Sequence, residues 1–290
     1  MRSLLFVPAD SPRKFEKALT SGADAVILDL EDSVAPTAKA NARAMIAEYA
    51  GRLRAIEHAP HLIIRINALD SAECDADIDA VCVHAPFAIM LPKAAGGADV
   101  QHLGAKLAVR EAETGISDGS ISIVPIATEH AQGVLNLASY RGASRRLFAL
   151  TWGAEDLSAD LGAAANRDGS GAFTPPFALA RNLMLFAAAS AGVQAIDTVF
   201  TNFRDPAGLA EECDCARRDG FTGKMAIHPD QVAIINSAFT PTRTEIARAQ
   251  AIVAAFADNP GGGVMSIDGR MIDRPHLIWA QRLLARAEGN

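Results

Sequence analysis

The chain has few cysteines, and none of them is spaced for a zinc site or a redox pair. The four are Cys74, Cys82, Cys213 and Cys215, with no Cys-x-x-Cys motif, and this favours reduced thiols in a cytosolic protein. A chain of 290 residues that is 50% hydrophobic can bury a core without disulfides. No apolar run reaches membrane-spanning length, and the N-terminal MRSLLFVPAD is too short for a signal peptide. These absences predict a cytoplasmic protein with no membrane partner.

The chain has fewer basic residues (27 Lys and Arg) than acidic residues (34 Asp and Glu), and several common motifs are absent from it. The net charge of −7 argues against nucleic acid as a partner. No Gly-x-Gly-x-x-Gly follows the first predicted strand, so a dinucleotide-binding fold lacks its fingerprint. No His-Glu-x-x-His or cluster of His and Cys favours zinc. A metal site in this chain would therefore have to use oxygen ligands.

Eight short apolar runs alternate with helical segments. The predicted strands are Leu4–Val7, Ala25–Leu28, Leu62–Ile64, Ala88–Leu91, Ile121–Ile126, Leu147–Leu150, Gln194–Thr198 and Lys224–Ile227. Their spacing of roughly 30 residues is typical of βαβ units, and continuous apolar runs indicate a parallel sheet buried on both faces. We predict an α/β fold, a (β/α)8 TIM barrel over residues 1–240.

Residues 241–290 are predicted to form a C-terminal helical arm. An amphipathic helix over Thr242–Ala257 and a second over Pro275–Ala287 flank a glycine-rich hinge at 259–263. A helix beyond such a hinge is free to pack on a neighbouring subunit. The arm carries Asp268 and Asp273, and the position of Asp273 is equally that of an N-cap of the last helix.

Charged and polar residues follow nearly every predicted strand. Since active residues of a barrel lie at the C-terminal ends of the strands, these residues would share one rim. They are Asp29, Glu31, Asp32, Arg65, Asn67, Lys93, Glu129, Glu155, Asp156, Asp197 and His228. The plainer alternatives are polar loops and, for single acids such as Glu155, the favourable N-terminus of a helix.

The stretch 146–162 concentrates three acids, Glu155, Asp156 and Asp160, behind a buried strand. Asp156 and Glu129 follow adjacent strands, and two such carboxylates plus water and substrate oxygens suit Mg²⁺. The guanidinium of Arg65 suits a carboxylate substrate. A cation with an arginine describes a pocket for a 2-oxo acid, where the metal would stabilise the enolate of carbon–carbon cleavage.

The ordered motifs of nearly the whole chain resemble the HpcH/HpaI aldolase/citrate lyase family, in its citrate-lyase-β-like branch. The matching segments are RSLLFVPA (2–9), DAVILDLEDSV (24–34), RIN (65–67), LPK (91–93), TEHAQGV (128–134), WGAEDLSADLG (152–162), GKMAIHPDQV (223–232) and DGRMIDRPHLIWAQRLL (268–284). The resemblance implies a Mg²⁺-dependent lyase that cleaves 3-hydroxyacyl-CoA thioesters to an acyl-CoA and a 2-oxo acid. It also implies a homotrimer or hexamer with an active site shared between subunits.

Site roles follow from the same resemblance. Glu129 and Asp156 match the metal ligands, while Arg65 and Glu129 match the substrate contacts. Asp273 matches an acid/base that a neighbouring subunit supplies. Weaker matches are Asp29, Asp32 and Glu155 as supporting residues, Lys93 as a supporting residue or a contact for the CoA phosphates, and Arg13 and Lys14 as contacts for the CoA phosphates.

One departure from the family pattern is His130, which replaces a small hydroxyl residue in TEHA at 128–131. It bears on substrate preference more than on the metal site. Four functions remain open: a stand-alone malyl-, citramalyl- or β-methylmalyl-CoA lyase, a citrate lyase β subunit that needs an acyl-carrier protein, a CoA-independent aldolase for 2-oxo-4-hydroxy acids, and a malyl-CoA thioesterase. Asp273 and the arm favour CoA chemistry, and the stand-alone lyase is the preferred hypothesis.

Overall fold

Eight parallel strands follow one another around a barrel. They are β1 (Ser3–Pro8), β2 (Ala25–Asp29), β3 (His61–Arg65), β4 (Ala88–Leu91), β5 (Ser122–Pro125), β6 (Ala149–Thr151), β7 (Gln194–Asp197) and β8 (Gly223–Ala226). They are hydrogen-bonded in the order β5-β4-β3-β2-β1-β8-β7-β6. Parallel bridges Ile123–Leu147 and Ile126–Thr151 connect β5 to β6. The predicted (β/α)8 barrel is therefore confirmed.

This structure, a computed structural model, describes residues 1–259, 263–267 and 269–288. Residues 260–262 of the predicted hinge and Asp268 lie outside the described residues. Contacts divide the chain into two compact units, Met1–Ala238 and Phe239–Asn290. Over the described ranges, no helix combines the length and apolar character that crossing a bilayer requires.

The barrel interior is filled by apolar side chains from successive strands. Members of this cluster come from all eight strands or the residue directly after one, and nearly all are fully buried: Leu4, Ala25, Ile27, Ile63, Ala88, Met90, Val124, Ile126, Ala149, Ile196 and Met225. A packed interior leaves the strand ends as the place where polar groups can meet a ligand.

Helices alternate with the strands along the chain, as the sequence predicts. They are α1 (Pro12–Leu19), α2 (Lys39–Arg54), α3 (Cys74–Cys82), α4 (Gly97–Thr114), α5 (Ala131–Leu135), α6 (Glu155–Leu161), α7 (Pro175–Ala191), α8 (Pro206–Asp219) and α9 (Pro229–Phe239). Proline opens α1, α7 and α8, where its missing N–H costs nothing. The sequence Ser11-Pro12 predicts a side-chain cap by Ser11 at the start of α1. This prediction was wrong, because Ser11 makes no capping hydrogen bond and Pro12 alone marks the start.

The C-terminal unit contains the two predicted helices and a β-hairpin that the sequence did not predict. The elements are α10 (Arg243–Asp258), β9 (Val264–Ile267), β10 (Arg270–Asp273) and α11 (Arg274–Glu288), with β9 and β10 antiparallel. Thr242 and Glu245 form a capping box at the start of α10. Ala249 and Ile252 of α10 pack with Ile272, Ala280 and Leu283, so the predicted apolar faces of both helices share one small core.

A buried ion pair holds the wall of the barrel where α4 meets the start of β6. Arg146 donates to both carboxylate oxygens of Glu111 at 2.8 and 2.6 Å, and the two side chains are 4% and 0% exposed. Glu111 also accepts from the N–H groups of Gly119 and Ile121. Burial opposes the charge of Glu111, but the hydrogen bonds from Arg146, Ile121 and Gly119 and the charge of Arg146 together outweigh it and lower the pKa of the carboxyl.

Glu111→Gln should destabilise the fold by about 3–5 kcal/mol, because it leaves the buried guanidinium of Arg146 without its main counter-charge. The lowered pKa means that the native pair favours folding above the ordinary glutamate pKa and loses this contribution as the pH falls through the lowered value. Urea unfolding at pH 7 and at acidic pH would measure both effects. Glu113→Gln, an exposed change on the same helix, is the matched control, and equal midpoints for the two variants would contradict the assignment.

Candidate active site

A cavity of about 510 Å³ opens at the C-terminal ends of the strands. Its lining comes from strand ends and the loops that follow them, including Phe6, Asp29, Arg65, Ile126, Glu129, Gly153, Asp156, Thr198, Met225 and His228. Five carboxylates line it: Asp29, Asp32, Glu129, Glu155 and Asp156. Three cationic side chains line it as well: Lys14, Lys17 and Arg65. The cavity thus gathers most of the predicted rim and carries an excess of negative charge.

Glu129 is the most deeply buried of the candidate metal ligands, at 4% exposed. Its Oε2 accepts a hydrogen bond from the backbone N–H of Lys93 at 2.5 Å. A methyl group on Gly153 would lie 2.8 Å from Cγ of Glu129, so the glycine is what lets the loop after β6 pack against this side chain. Burial, with the nearby charges of Asp156 and Glu31, raises the pKa of Glu129 to about 8.

The acid cluster after β6 is the first half of helix α6. Glu155 and Asp156 lie in its first turn, where the helix dipole favours them, so the plainer alternative for these acids also holds. Glu155 accepts from the side-chain amide of Asn166 at 2.9 Å. Asp160 accepts from the backbone N–H of Ala131 at 2.7 Å and joins α6 to α5. Asp156 lines the cavity with Glu129, whereas Asp160 has a structural role.

Arg65 is tied to two acids from the loop after β2. Its Nε and Nη2 donate to the two oxygens of Asp29, each at 2.7 Å, and its Nη1 lies 2.8 Å from Oε2 of Glu31. Burial opposes the charge of Asp29, but Arg65 outweighs this and holds the pKa of that carboxyl below its usual range. Asp29 therefore orients Arg65. It was predicted as a supporting residue near the metal, and in the structure the residue that it supports is the arginine.

Lys93 connects the same loop to α6. Its ammonium lies 2.6 Å from Glu31, 3.4 Å from Asp32 and 3.9 Å from Asp156. Burial opposes its charge, but the hydrogen bond to Glu31 and the charges of Glu31, Asp32 and Asp156 together outweigh this and raise the pKa of Lys93. Lys93 is thus a fixed cation among carboxylates, whose side chain pairs with acids beside the predicted cation site rather than with phosphate.

The donor set fits a hard divalent cation. A buried carboxylate with a pKa of about 8 gains from a nearby positive charge, and Asp156 adds a second oxygen ligand. Among the described residues no group of three or more His, Cys, Asp and Glu could enclose a metal. A cation at Glu129 and Asp156 would therefore take most of its ligands from water and substrate oxygens, as Mg²⁺ does.

Four predicted rim residues do not line the cavity: Glu31, Lys93, Asn67 and Asp197. Glu31 and Lys93 contact residues that do line it, whereas Asn67 and Asp197 pair elsewhere. Asp197 is fully buried and pairs with Nζ of Lys224 at 3.0 Å and Nε of Arg181 at 3.3 Å, and it accepts from the indole N–H of Trp152 at 2.7 Å. Asn67 donates its amide to Asp77 at 2.6 Å. The expectation that these two face the pocket was wrong, because the side chain of a strand-end residue can also point outward into the helix layer.

The cavity lining includes Lys17, a basic residue that the sequence motifs did not predict. Lys14 and Lys17 line the mouth from α1, whereas Arg13 does not. Residues three apart share one face of a helix, so the spacing of Lys14 and Lys17 was the available signal. His228 also lines the cavity and stacks on Phe203 with ring centroids 5.1 Å apart.

Asp273 lies in the C-terminal unit, at the end of β10 and directly before α11. Its Oδ1 is 2.5 Å from Nδ1 of His276, and its backbone N–H donates to the same nitrogen at 3.2 Å. The side chain of His276 thus meets both polar groups of Asp273 at the start of the helix. The position before α11 agrees with the N-cap alternative and leaves the carboxylate 32% exposed.

A closed barrel with an acidic cavity, a buried arginine and two candidate cation ligands defines an α/β-barrel enzyme of the metal-assisted type. The chain belongs to the HpcH/HpaI aldolase/citrate lyase family, whose pattern matches residues 2–229.

The chain is similar in sequence to two named proteins and in sequence and fold to a protein of known structure. Citrate lyase subunit beta of Leuconostoc mesenteroides subsp. cremoris is 35% identical over 100% of this chain and 94% of its own length. A (3S)-malyl-CoA thioesterase of Cereibacter sphaeroides is 34% identical over 99% of this chain and 94% of its own. The crystal structure of CitE from Mycobacterium tuberculosis, in complex with magnesium, acetoacetate and coenzyme A, has 33% identity and a TM-score of 0.77, covering 99% and 98% of the two chains.

Proposed function

We propose that this protein is a Mg²⁺-dependent carbon–carbon lyase that cleaves a 3-hydroxyacyl-CoA thioester into an acyl-CoA and a 2-oxo acid. The observation that carries the proposal is the meeting of Glu129, Asp156 and Arg65 in one cavity. Such a cavity offers oxygen ligands for a cation and a guanidinium for a carboxylate. The family, and a relative of known structure in complex with magnesium and coenzyme A, support the same chemistry.

In this proposal each side chain has a defined task. Glu129 and Asp156 would hold Mg²⁺, which when bound would stabilise negative charge on the 3-hydroxyl oxygen of the substrate as this oxygen becomes the carbonyl of the 2-oxo acid. Arg65 is held in place by the two parallel hydrogen bonds that it donates to Asp29, and it would orient the carboxylate of the substrate with its remaining N–H groups. The apolar side chains of Phe6, Ile126 and Met225 exclude water from the bond that breaks.

Proton transfer is assigned to Asp273 of a neighbouring copy of the chain. In the cleavage direction the 3-hydroxyl would give its proton to solvent, the carbon–carbon bond would break with its electron pair moving to the acyl-CoA fragment, and Asp273 in its acid form would protonate that carbon. In condensation the aspartate would remove the same proton. The assignment comes with an arm of residues 241–290 that reaches the next barrel in a homotrimer or hexamer. The carboxylate of Asp273 is partly exposed beside His276, which supports a group that meets a ligand from outside its own unit.

Lys14 and Lys17 are proposed to contact the CoA phosphates. Both side chains are cationic and lie at the mouth of the cavity, where the long carrier would leave the protein. Arg13 lies outside the lining, so it ranks below Lys17 in this role.

Hydrolysis is the second candidate function, and the similarity to a (3S)-malyl-CoA thioesterase favours it over a CoA-independent aldolase. Similarity to a citrate lyase β subunit also keeps an acyl-carrier thioester as a possible substrate form. The cavity suits all three outcomes, since each begins with the same carboxylate and thioester.

A panel of malyl-, citramalyl-, β-methylmalyl- and citryl-CoA with Mg²⁺ tests the proposal. We expect at least one substrate to release a 2-oxo acid, with loss of turnover in EDTA and recovery on adding Mg²⁺. Free CoA thiol without oxo acid would identify a thioesterase. Turnover that survives EDTA would contradict the metal assignment.

A further inference from the structure

His130, the residue that departs from the family pattern, lies beside the cavity without lining it. Its imidazole makes two hydrogen bonds with opposite roles. Nδ1 accepts from the backbone N–H of Gly133 at 3.0 Å and caps α5, and Nε2 lies 2.9 Å from the carbonyl oxygen of Lys93. Because Nδ1 accepts, the proton is on Nε2, and the neutral ring donates to that carbonyl. One side chain thus connects the loop after β5 to the end of β4.

The hydrogen bond from His130 holds the backbone of Lys93, which has an unfavourable conformation. Its φ of 52° puts it in the left-handed region, which a residue with a side chain occupies only when its surroundings hold it there. Its N–H donates to Oε2 of Glu129, and its carbonyl accepts from His130. The two peptide groups on either side of this α-carbon are therefore anchored to adjacent residues of one loop, Glu129 and His130.

The rest of the contact between the two loops does not depend on His130. The side-chain amide of Asn136 donates to the carbonyl of Ala95 at 2.9 Å. Gly133 approaches so closely that a Cβ there would lie 2.8 Å from the carbonyl oxygen of Ala127 and 2.9 Å from that of Ala94. Loss of the bond from His130 would therefore free the Lys93 peptide while the loops stay in contact.

We propose that His130 is a positioning residue for Glu129. It holds the Lys93 peptide in its left-handed conformation, and the Lys93 N–H in turn fixes Oε2 of the buried carboxylate. The inference rests on the proposed function, in which Glu129 binds a divalent cation. A partner that orients a metal ligand typically changes metal affinity by about 10–100-fold when removed.

Two substitutions separate the two hydrogen bonds. His130→Asn keeps a polar atom at the place of Nδ1 and so keeps the cap, but it cannot reach Lys93. His130→Gln places an amide nitrogen near the place of Nε2 and keeps the donor to Lys93, but it loses the cap. His58→Asn, on a side chain that is 93% exposed, is the matched control.

Calorimetric titration with Mn²⁺ and Mg²⁺, without substrate, is the first measurement. We expect His130→Asn to bind the cation at least about tenfold more weakly with its melting temperature retained. His130→Gln should keep affinity near wild type and melt at a lower temperature, because only the cap is lost. The control should match wild type in both.

Hydrogen exchange of the Lys93 amide is the second measurement, and it needs no cation. Faster exchange in His130→Asn than in wild type and His130→Gln is expected. Wild-type cation affinity in His130→Asn, or unchanged protection of this amide, would overturn the inference while leaving the proposed function intact. A wild-type protein that binds neither cation would overturn the proposed metal site, and the exchange result would still decide whether His130 holds the Lys93 peptide.

Discussion

Replacing Glu129 with glutamine is expected to remove cation binding and to lower the rate of cleavage by about a thousandfold. The expected loss corresponds to about 4 kcal/mol, the size of the charge stabilisation that a catalytic cation supplies. Glutamine keeps the length of the side chain and an oxygen for the Lys93 N–H, so the fold should stay intact. Stability without cation should stay equal or rise, because burial disfavours the charge of the native carboxylate.

Two measurements check this expectation. Calorimetry with Mn²⁺ reports binding, and the release of 2-oxo acid from the best substrate reports cleavage. Glu57→Gln, where the side chain is 92% exposed, is the matched control and should behave as wild type in both. Glu129 would not be a ligand if Glu129→Gln cleaved the substrate at the wild-type rate. The same conclusion would follow if the variant needed the same Mg²⁺ concentration as wild type.

Replacing Asp273 with asparagine should lower cleavage by about 10²- to 10⁴-fold while cation and 2-oxo acid binding stay unchanged. The proposed role of Asp273 is proton transfer at carbon, whereas the cation and the oxo acid are held by barrel residues. Asparagine also suits the N-cap position before α11, so the change is not expected to unfold the C-terminal unit. Calorimetry, single-turnover rates and unfolding midpoints measure the three quantities.

Subunit mixing tests whether Asp273 acts on a neighbouring barrel. A mixed oligomer of Asp273→Asn and Arg65→Ala chains contains some sites with a native arginine and a native aspartate. We expect partial recovery of cleavage in the mixture, although each variant alone is inactive. No recovery in an oligomer verified to contain both chains would contradict the shared site, and unchanged turnover in Asp273→Asn would contradict its catalytic role.

The strands were predictable because the barrel buries them on both faces, which makes each one a short apolar run in the sequence. Seven of the eight predicted strands begin within one residue of the observed start, and the eighth, β6, begins two residues later than predicted. Its apolar run begins at Leu147, yet regular pairing starts at Ala149, after an isolated bridge from Leu147 to Ile123. The hairpin of β9 and β10 was missed because its strands are short and largely exposed.

Candidate site residues were predictable to the extent that the strand ends define one rim. Glu129, Asp156 and Arg65 do share a cavity, as expected from strand order alone. Asp197 and Asn67 end or follow strands in the same way, yet both turn into buried polar networks. Sequence position places the α-carbon at the rim, but side-chain direction depends on partners that lie far away in the chain.

The sequence by itself determined the barrel, the family and the chemical types at the site, because these depend on local patterns and ordered motifs. Tertiary structure alone decided what each group does there. It joined Asp29 to Arg65 across 36 residues, aimed the Lys93 N–H at Glu129, and turned His130 toward a carbonyl rather than toward the cavity. Hydrogen bonds between distant residues have no periodic signature in the chain, and they set the orientation of Arg65 and Glu129 in the cavity.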